Sequence, residues 1–520
     1  MPGPTLDSLR KRYFIKLSKS GIDAAINVLL LLFVPRALGP ASYGNFNFIR
    51  DSFQNVIALS DLNLGSAHLN YAARKQDSSI ATNVYFCYTL LIGVLVLLFV
   101  AVITVTGFDG YLFPGQAARY LLLGALLAYL MYLFTALMGL ADSKVATYGF
   151  ELRSITINLA LFGILVLLYF AGALSLATFF AHRVVLYGLL LAFGAGYLYR
   201  KIGFRPRLVD TRRPEVRTVV REFLSFSHPL ITLSILGVVF GFFDRWFLQI
   251  VYGSVSQGFF SLAFSLSSIA GLFLAPMTPL LMQSIAKADE ENDLAGVKNA
   301  FSKIKVLYLV GAFLSIFFMF HTEEIIGLIG GEDYNAARLT IVVMFLYPIH
   351  VVYGQFCGGV LIALRKTALY RNIGIVSAVV GAGISYFLLA PRSFAIPGLE
   401  LNSLGLALKL VLIQLFAVTL QLHFVCKHFD EKIWHYLWSQ IVIPIPIVLI
   451  GIGEWLIRDR LGVPLAGAWQ NGVSLAASMM LWCIAVGLIV WRFPALVGFD
   501  RSVLHDAVRQ LYAALQRKVA

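Results

Sequence analysis

The sequence predicts an all-α polytopic membrane protein with fourteen transmembrane helices, on three observations. Of 520 residues, 59% are hydrophobic and only 13% charged, where a soluble domain carries about 25% charged residues. The apolar residues fall in fourteen runs of about 20 or more, the length a helix needs to cross a hydrocarbon core ~30 Å thick. With both chain ends placed inside, 31 of the 41 Lys and Arg fall in or beside internal connections, 6 fall outside and 4 lie within spans. That alternation follows the positive-inside rule, which a wrong span count would scramble. It also accounts for the formal net charge of +14 as a cytosolic collar facing anionic headgroups, with no nucleic acid involved.

The runs lie at about 14–36, 43–66, 81–106, 119–140, 147–171, 174–199, 222–251, 258–286, 303–321, 338–363, 371–390, 402–426, 435–457 and 471–491. Backbone polar groups in lipid must be satisfied internally, and these runs are too long and continuous for barrel strands. Span 1 follows Arg10, Lys11 and Arg12, but it exceeds a signal h-region and has no A-x-A site, so it reads as a retained helix. Cys87, Cys357, Cys426 and Cys483 are scattered through apolar runs and read as small core residues rather than disulfide or metal partners. Pro276 and Pro279 in span 8 are expected to bend it.

The connections exclude much chemistry. The longest external one, about 17 residues from His321 to Ala337, carries Glu323, Glu324, Glu332 and Asp333; the longest internal one, about 22 residues from Arg200 to Arg221, is arginine-rich. There is no P-loop, zinc-protease helix, nucleophile elbow or EF-hand pattern. No cofactor and no metal site is expected, and with no loop large enough to build an active site the chain reads as a transporter rather than an enzyme.

One segment repeats. Gly39-Pro-Ala-Ser42-Tyr-Gly44-Asn-Phe46 opens span 2, and Gly253-Ser-Val-Ser256-Gln-Gly258-Phe-Phe260 opens span 8; four of the eight positions agree at an offset of 214 residues. Both lie in the short turn between the first two helices of a six-helix block. The blocks therefore share one orientation and are related by an axis along the membrane normal.

These residues carry a family resemblance. Leu38-Gly39-Pro40-Ala41-Ser42-Tyr43-Gly44, followed by Ala58-Leu59-Ser60-Asp61-Leu62-Asn63-Leu64-Gly65, resembles the amino-terminal signature of Wzx-type polysaccharide (O-antigen) flippases of the multidrug/oligosaccharidyl-lipid/polysaccharide exporter group. Phe243-Asp244-Arg245, Gly253 and Gly258-Phe259-Phe260-Ser261-Leu262-Ala263-Phe264 resemble the second-lobe signature. Phe260 stands where tyrosine is usual, and Asn63 interrupts the usual Asp-Leu-Gly. The likeness covers roughly residues 10–430. It implies two pseudo-symmetric six-helix lobes, 1–221 and 222–432, around a cavity that opens alternately to each side. It also implies that undecaprenyl-pyrophosphate-linked oligosaccharide is carried from the cytoplasmic to the periplasmic leaflet of the bacterial inner membrane. Residues 433–520 would add spans 13 and 14 and an amphipathic tail from Asp500 to Lys518. The extra pair resembles that of fourteen-helix lipid II flippases, where it lines a groove for the polyprenyl tail.

A charge inside the bilayer costs at least about 2.5–3.5 kcal/mol, so it faces a cavity or a partner. On span 2, Asn47, Arg50, Gln54, Asp61 and His68 fall within an arc of about 60°, and on span 1 so do Lys16, Ser20, Asp23 and Asn27. Both stripes read as cavity wall. Arg50, Arg183, Arg245 and Lys409 lie within spans, each about 10–13 Å from the external end at 1.5 Å per residue, and together would form a basic chamber. Arginine forks match the oxygens of a pyrophosphate; Asn47, Gln54, Ser261 and Ser265 would meet the sugar. Asp23, Asp61, Asp244 and Asp51 are candidates for ion coupling or charge pairing. In the alternative reading, Arg50 pairs with Asp51 or Asp61, and Arg245 with Asp244, as locks between helices. His182 reads as packing or a local hydrogen bond; His228 and His350 are weaker still.

The cargo's negative charge moves outward down an inside-negative potential, worth about 2.3 kcal/mol per charge per 100 mV. The expected partners are the lipid-linked oligosaccharide, membrane lipid, a polysaccharide polymerase and a chain-length regulator, with the chain itself a monomer. A cation-coupled multidrug exporter is the competing reading, and a membrane glycosyltransferase or polymerase a third. Basic residues within the spans argue against the first of these, and short loops against the second.

Overall fold

The computed structural model describes residues 9–74, 79–210, 212–272, 291, 293–364, 366–461 and 468–494. Pro276, Pro279 and the tail from Asp500 lie outside these. Among the described residues the chain is helical with no strand. Among the same residues eleven helices are long and apolar enough to cross a membrane, or twelve with one bent pair counted as a span. This is a multi-pass membrane protein. Its surface agrees: α3 (Ser79–Thr106) turns Leu90, Leu91, Val94, Leu95, Leu98 and Val102 outward, a wasteful arrangement in water and the natural one in lipid. Trp434, Trp438, Trp455 and Trp491 are exposed too, as befits side chains that prefer the interface.

Two helices are too long to cross once. The first, α1 (Leu9–Asp61), has 53 residues, about 80 Å if straight. It is interrupted at Gly39, φ 69° and ψ 168°. The other, α8 (Pro214–Leu272), has 59 residues and is interrupted at Gly253, φ 74° and ψ −168°. Such angles suit only glycine, and the two kinks keep the 214-residue offset of the repeated motif. After them the two helices touch backbone to backbone. A Cβ added to Gly44 would lie 1.9 Å from the Ser254 carbonyl oxygen, and one added to Gly258 would lie 2.0 Å from that of Pro40. The offset maps Gly44 onto Gly258 and Pro40 onto Ser254, so the contact is reciprocal.

The chain divides into two compact units, residues 1–261 with 385–402, and 262–384 with 403–520. In the first, α5 (Ala118–Ser143) packs on α7 (Leu176–Ile202), while α1 packs on α5 and on α6 (Thr147–Phe170). Between α1 and α3 lies the short α2 (Leu64–Arg74), and α4 (Asp109–Leu112) is a single turn. The start of α7 is fixed by a capping box between Ser175 and Thr178, and its end by Gly203 at φ 66°. These arrangements satisfy the terminal backbone groups that a helix leaves bare.

In the second unit, α9 (Leu294–Phe320) bends by 73° into α10 (Thr322–Ile329). A 3₁₀ turn (Glu332–Ala337) follows, then α11 (Arg338–Met344), α12 (Leu346–Ala363), α13 (Thr367–Leu389), α14 (Asn402–His428), α15 (Ile433–Val442), α16 (Pro444–Leu461) and α17 (Ala468–Arg492). The last two long helices join this unit's core, where Trp482 is buried with Phe317 and Ile447. Glu454 of α16 clamps them. It accepts from Ser478 at 2.7 Å, from the Trp482 indole, and faces His321 Nε2 at 3.3 Å; Arg458, one turn on, pairs with Glu324. Glu454→Ala strands those donors and should cost about 2–4 kcal/mol, somewhat less than a fully buried pair because Glu454 is partly exposed. Thermal unfolding in detergent, with tryptophan fluorescence as the probe, checks this; an unchanged midpoint would show the clamp to be idle.

Candidate functional site

Two turns beyond Gly44, about 10.5 Å along α1, a carboxylate is shared between two arginines. Arg50 donates through Nε and Nη2 to Asp51 Oδ1 at 2.9 and 2.6 Å. Arg245 Nη2, from α8, donates to Asp51 Oδ2 at 3.0 Å, and its Nη1 donates to Gln257 Oε1 at 3.1 Å and Ser261 Oγ at 2.9 Å. Each guanidinium lies against a ring: Arg50 is 5.6 Å from the centroid of Phe46 and Arg245 is 4.5 Å from that of Phe260. The repeat offset relates Phe46 to Phe260 and Asn47 to Ser261. An aromatic face attracts a cation with or without a hydroxyl, so phenylalanine in place of tyrosine at 260 keeps this support. Arg245 takes Asp51 rather than its neighbour Asp244, which accepts from Ser385 Oγ at 2.5 Å. Two guanidinia thus hydrogen-bond to one carboxylate, with the charge of Asp244 also felt at Arg245.

Arg183 of α7 lies within electrostatic reach of Arg50 but outside that hydrogen-bonded cluster. Its guanidinium lies 5.2 Å from the Phe179 ring centroid, and among the described residues it has no hydrogen bond or ion pair. It lines a cavity of about 150 Å³ with Asp23, Asn27, Asn158 and His182. There Asp23 accepts from Lys19 Nζ at 2.5 Å and from Asn158 Nδ2 at 3.1 Å. His182 Nε2 lies 2.9 Å from the Leu161 carbonyl, a local bond. Of the span 1 stripe, Lys16 turns instead to Asp142, at 2.6 Å.

The polar stripe of span 2 separates into two groups. Gln54, Asp61 and His68 line a second cavity of about 600 Å³ within the first unit. Asn47 instead bonds back to the Tyr43 carbonyl at 2.8 Å. Asp61 accepts from the Tyr132 hydroxyl at 2.6 Å and from the Gly65 amide at 3.4 Å, and His68 Nε2 lies 3.2 Å from Thr82 Oγ1. Lys409 and Ser265 belong to the second unit. Lys409 is buried there, its Cε 3.1 Å from where a Cβ on Gly381 would stand, so the glycine makes room for it. His350 Nδ1 faces Gln440 Oε1 at 3.3 Å. No group of three or more His, Cys, Asp or Glu that could hold a metal occurs among the described residues.

Sequence reasoning overlooked Gln257 and Tyr132. Gln257 had a usable signal, since the offset places it opposite Tyr43 in the repeat. Tyr132 had none, being one tyrosine in an apolar run.

Residues 9–280, more than half of the chain, match the family described as polysaccharide biosynthesis protein. The chain belongs to that family. A search of curated proteins found no match. Among solved structures, the lipid II flippase MurJ in an inward closed conformation is similar at TM-score 0.66 and 12% identity, covering 92% of this chain and 98% of that one. An inward-facing multidrug resistance MATE family transporter of the MOP superfamily follows at TM-score 0.58 and 15% identity, covering 80% and 98%. At such identities the likeness establishes the fold: this polysaccharide biosynthesis protein folds as MOP-superfamily transporters do. The two similar structures are a flippase and a transporter by their own descriptions.

Proposed function

We propose that this protein carries undecaprenyl-pyrophosphate-linked oligosaccharide from the cytoplasmic to the periplasmic leaflet by alternating access, for surface polysaccharide synthesis. The observation that carries the reading is an excess of cations: Arg50 and Arg245 share Asp51, with Asp244 the one other carboxylate felt at Arg245, and Arg183 has no hydrogen bond or ion pair to a carboxylate among the described residues. A wall of guanidinia suits a pyrophosphate, whose oxygens accept forked hydrogen bonds. It does not suit a cationic drug, which sets the multidrug reading aside. Asp51 then acts as the internal counterion that holds the two arginines until the cargo arrives. Asp23, Asp61 and Asp244 keep hydrogen-bonded roles in this reading.

Fourteen spans fit the proposal. Counting α1 and α8 as two spans each across their glycine kinks raises the twelve to fourteen. The lobes are then residues 1–221 and 222–432, with 433–520 as an addition, both ends are cytoplasmic, and the protein works as a monomer in the inner membrane beside a polymerase and chain-length regulator.

Arg183→Ala should reduce surface glycan at least tenfold in a strain lacking its own flippase, at normal membrane abundance, while Arg183→Lys keeps most of it. Normal display by Arg183→Ala would remove the cationic wall from the mechanism. Drug resistance conferred without glycan display would replace the reading with an exporter.

A further inference from the structure

The 600 Å³ cavity of the first unit borders a broken helix. The long α1 stops at Asp61, and Leu62 and Asn63 both turn into the left-handed region, φ 51° and 61°, before α2 resumes at Leu64. Asparagine tolerates that region; leucine does so at a cost of about 1–2 kcal/mol. Strain of this kind persists where surrounding contacts fix it, and it clusters at functional sites. Here the contacts are specific. Asn63 Nδ2 donates to Ser234 Oγ at 2.7 Å, fastening the break to α8, and the Tyr88 hydroxyl donates to the Ser60 carbonyl that the break exposes. In transporters, interrupted helices mark binding sites, because the break frees polar groups into a cavity.

The lining has a definite chemistry. Asp61 presents a carboxylate held by Tyr132 and Gly65. Gln54 adds an amide whose Nε2 has, among the described residues, only the weak acceptor Met131 Sδ at 3.5 Å. Tyr85, stacked on His68 with centroids 4.8 Å apart, brings its hydroxyl over Gly65, and Tyr187 contributes a third phenol. The one cation among the described residues of the lining, Lys19, is paired with Asp23. A pocket of this size suits a small ligand, but its inventory is wrong for a phosphate, which needs uncompensated cations. It is also wrong for a metal, since the acid and imidazole are too few. Aromatic faces, a carboxylate and a carboxamide together suit a neutral pyranose, whose C–H faces pack on rings and whose hydroxyls donate to the acid.

Gln54 lies one helical turn from Arg50 on the same face of α1, and Asp61 about 16 Å from it along the helix. A pyrophosphate at Arg50 would leave its attached sugars to run along that face. We infer that this cavity is the sugar subsite of the transporter, taking uncharged pyranose residues joined to the pyrophosphate. The inference rests on the flippase reading above and extends it.

The test uses the purified full-length protein in lipid nanodiscs and four probes: undecaprenyl pyrophosphate, and the same lipid carrying N-acetylglucosamine, glucose or galactose. At least one sugar-bearing probe should bind about tenfold more tightly than the bare lipid. Gln54→Ala and Asp61→Asn should erase that margin and leave bare-lipid binding unchanged, whereas Arg50→Gln should weaken all four. Gln54→Ala removes no charge and no strong hydrogen bond, so it serves if Asp61→Asn fails to fold. No sugar-bearing probe exceeding the bare lipid, or variants lowering all probes equally, would overturn the subsite while the flippase reading stands. No probe binding at all would overturn both.

Discussion

Gly44→Ala is expected to lose about 3 kcal/mol or more of stability, the upper end of what overpacking costs. The new methyl would stand 1.9 Å from the Ser254 oxygen and 2.6 Å from the Gly258 nitrogen. Both are backbone atoms in helix, so no side chain can swing aside; α1 and α8 must part. Gly258→Ala should behave the same way, meeting the Pro40 carbonyl at 2.0 Å. Gly39→Ala is the control. It is strained by its positive φ, but nothing lies within 4 Å of its Cβ position, so it should cost only about 1–2 kcal/mol. Thermal unfolding of the three purified variants decides the matter. A Gly44→Ala protein as stable as the parent would mean that the helices do not cross at these glycines.

Arg50→Glu is expected to lower glycan export by at least about a hundredfold. Breaking a hydrogen-bonded charge pair costs about 2–5 kcal/mol, and each 1.4 kcal/mol is a factor of ten. The substitution also sets a second carboxylate beside Asp51, and the two together would neutralise Arg245, the nearest cation left to meet a phosphate. Arg50→Lys retains the charge but not the fork, so about a tenth of normal export should remain. Surface glycan measured against membrane abundance is the readout. Export by Arg50→Glu at the parental level would show that the guanidinium at 50 meets no anionic cargo.

The repeat shows how far local pattern reaches. Gly39 and Gly253 announce two equivalent turns, because few other residues could supply their φ, and both kinks lie where the motif puts them. That the two turns press on one another through Gly44 and Gly258 was not legible, since nothing in an eight-residue motif states its distance from a copy 214 residues away. The stripe on span 2 was half legible. Helical spacing put Gln54, Asp61 and His68 on one face, and they share one cavity. Spacing could not foresee that Asn47 would bond to its own helix, whereas the pairing of Arg50 with Asp51 was one of the alternatives the sequence offered.

What the sequence by itself determined is therefore whatever hydropathy and backbone sterics govern: a helical chain of apolar spans, the glycine turns, a basic residue wherever a span carried one, and the family. Each of those depends on residues close together along the chain. Only the tertiary structure decided that Asp51 serves Arg245, 194 residues away, that Glu454 ties the last two helices to His321, and that a helix break opens a room beside Asp61. Those outcomes depend on which helix faces lie together: Asp51 holds its chain neighbour Arg50 at 2.6 Å and also the Arg245 that packing brings to 3.0 Å.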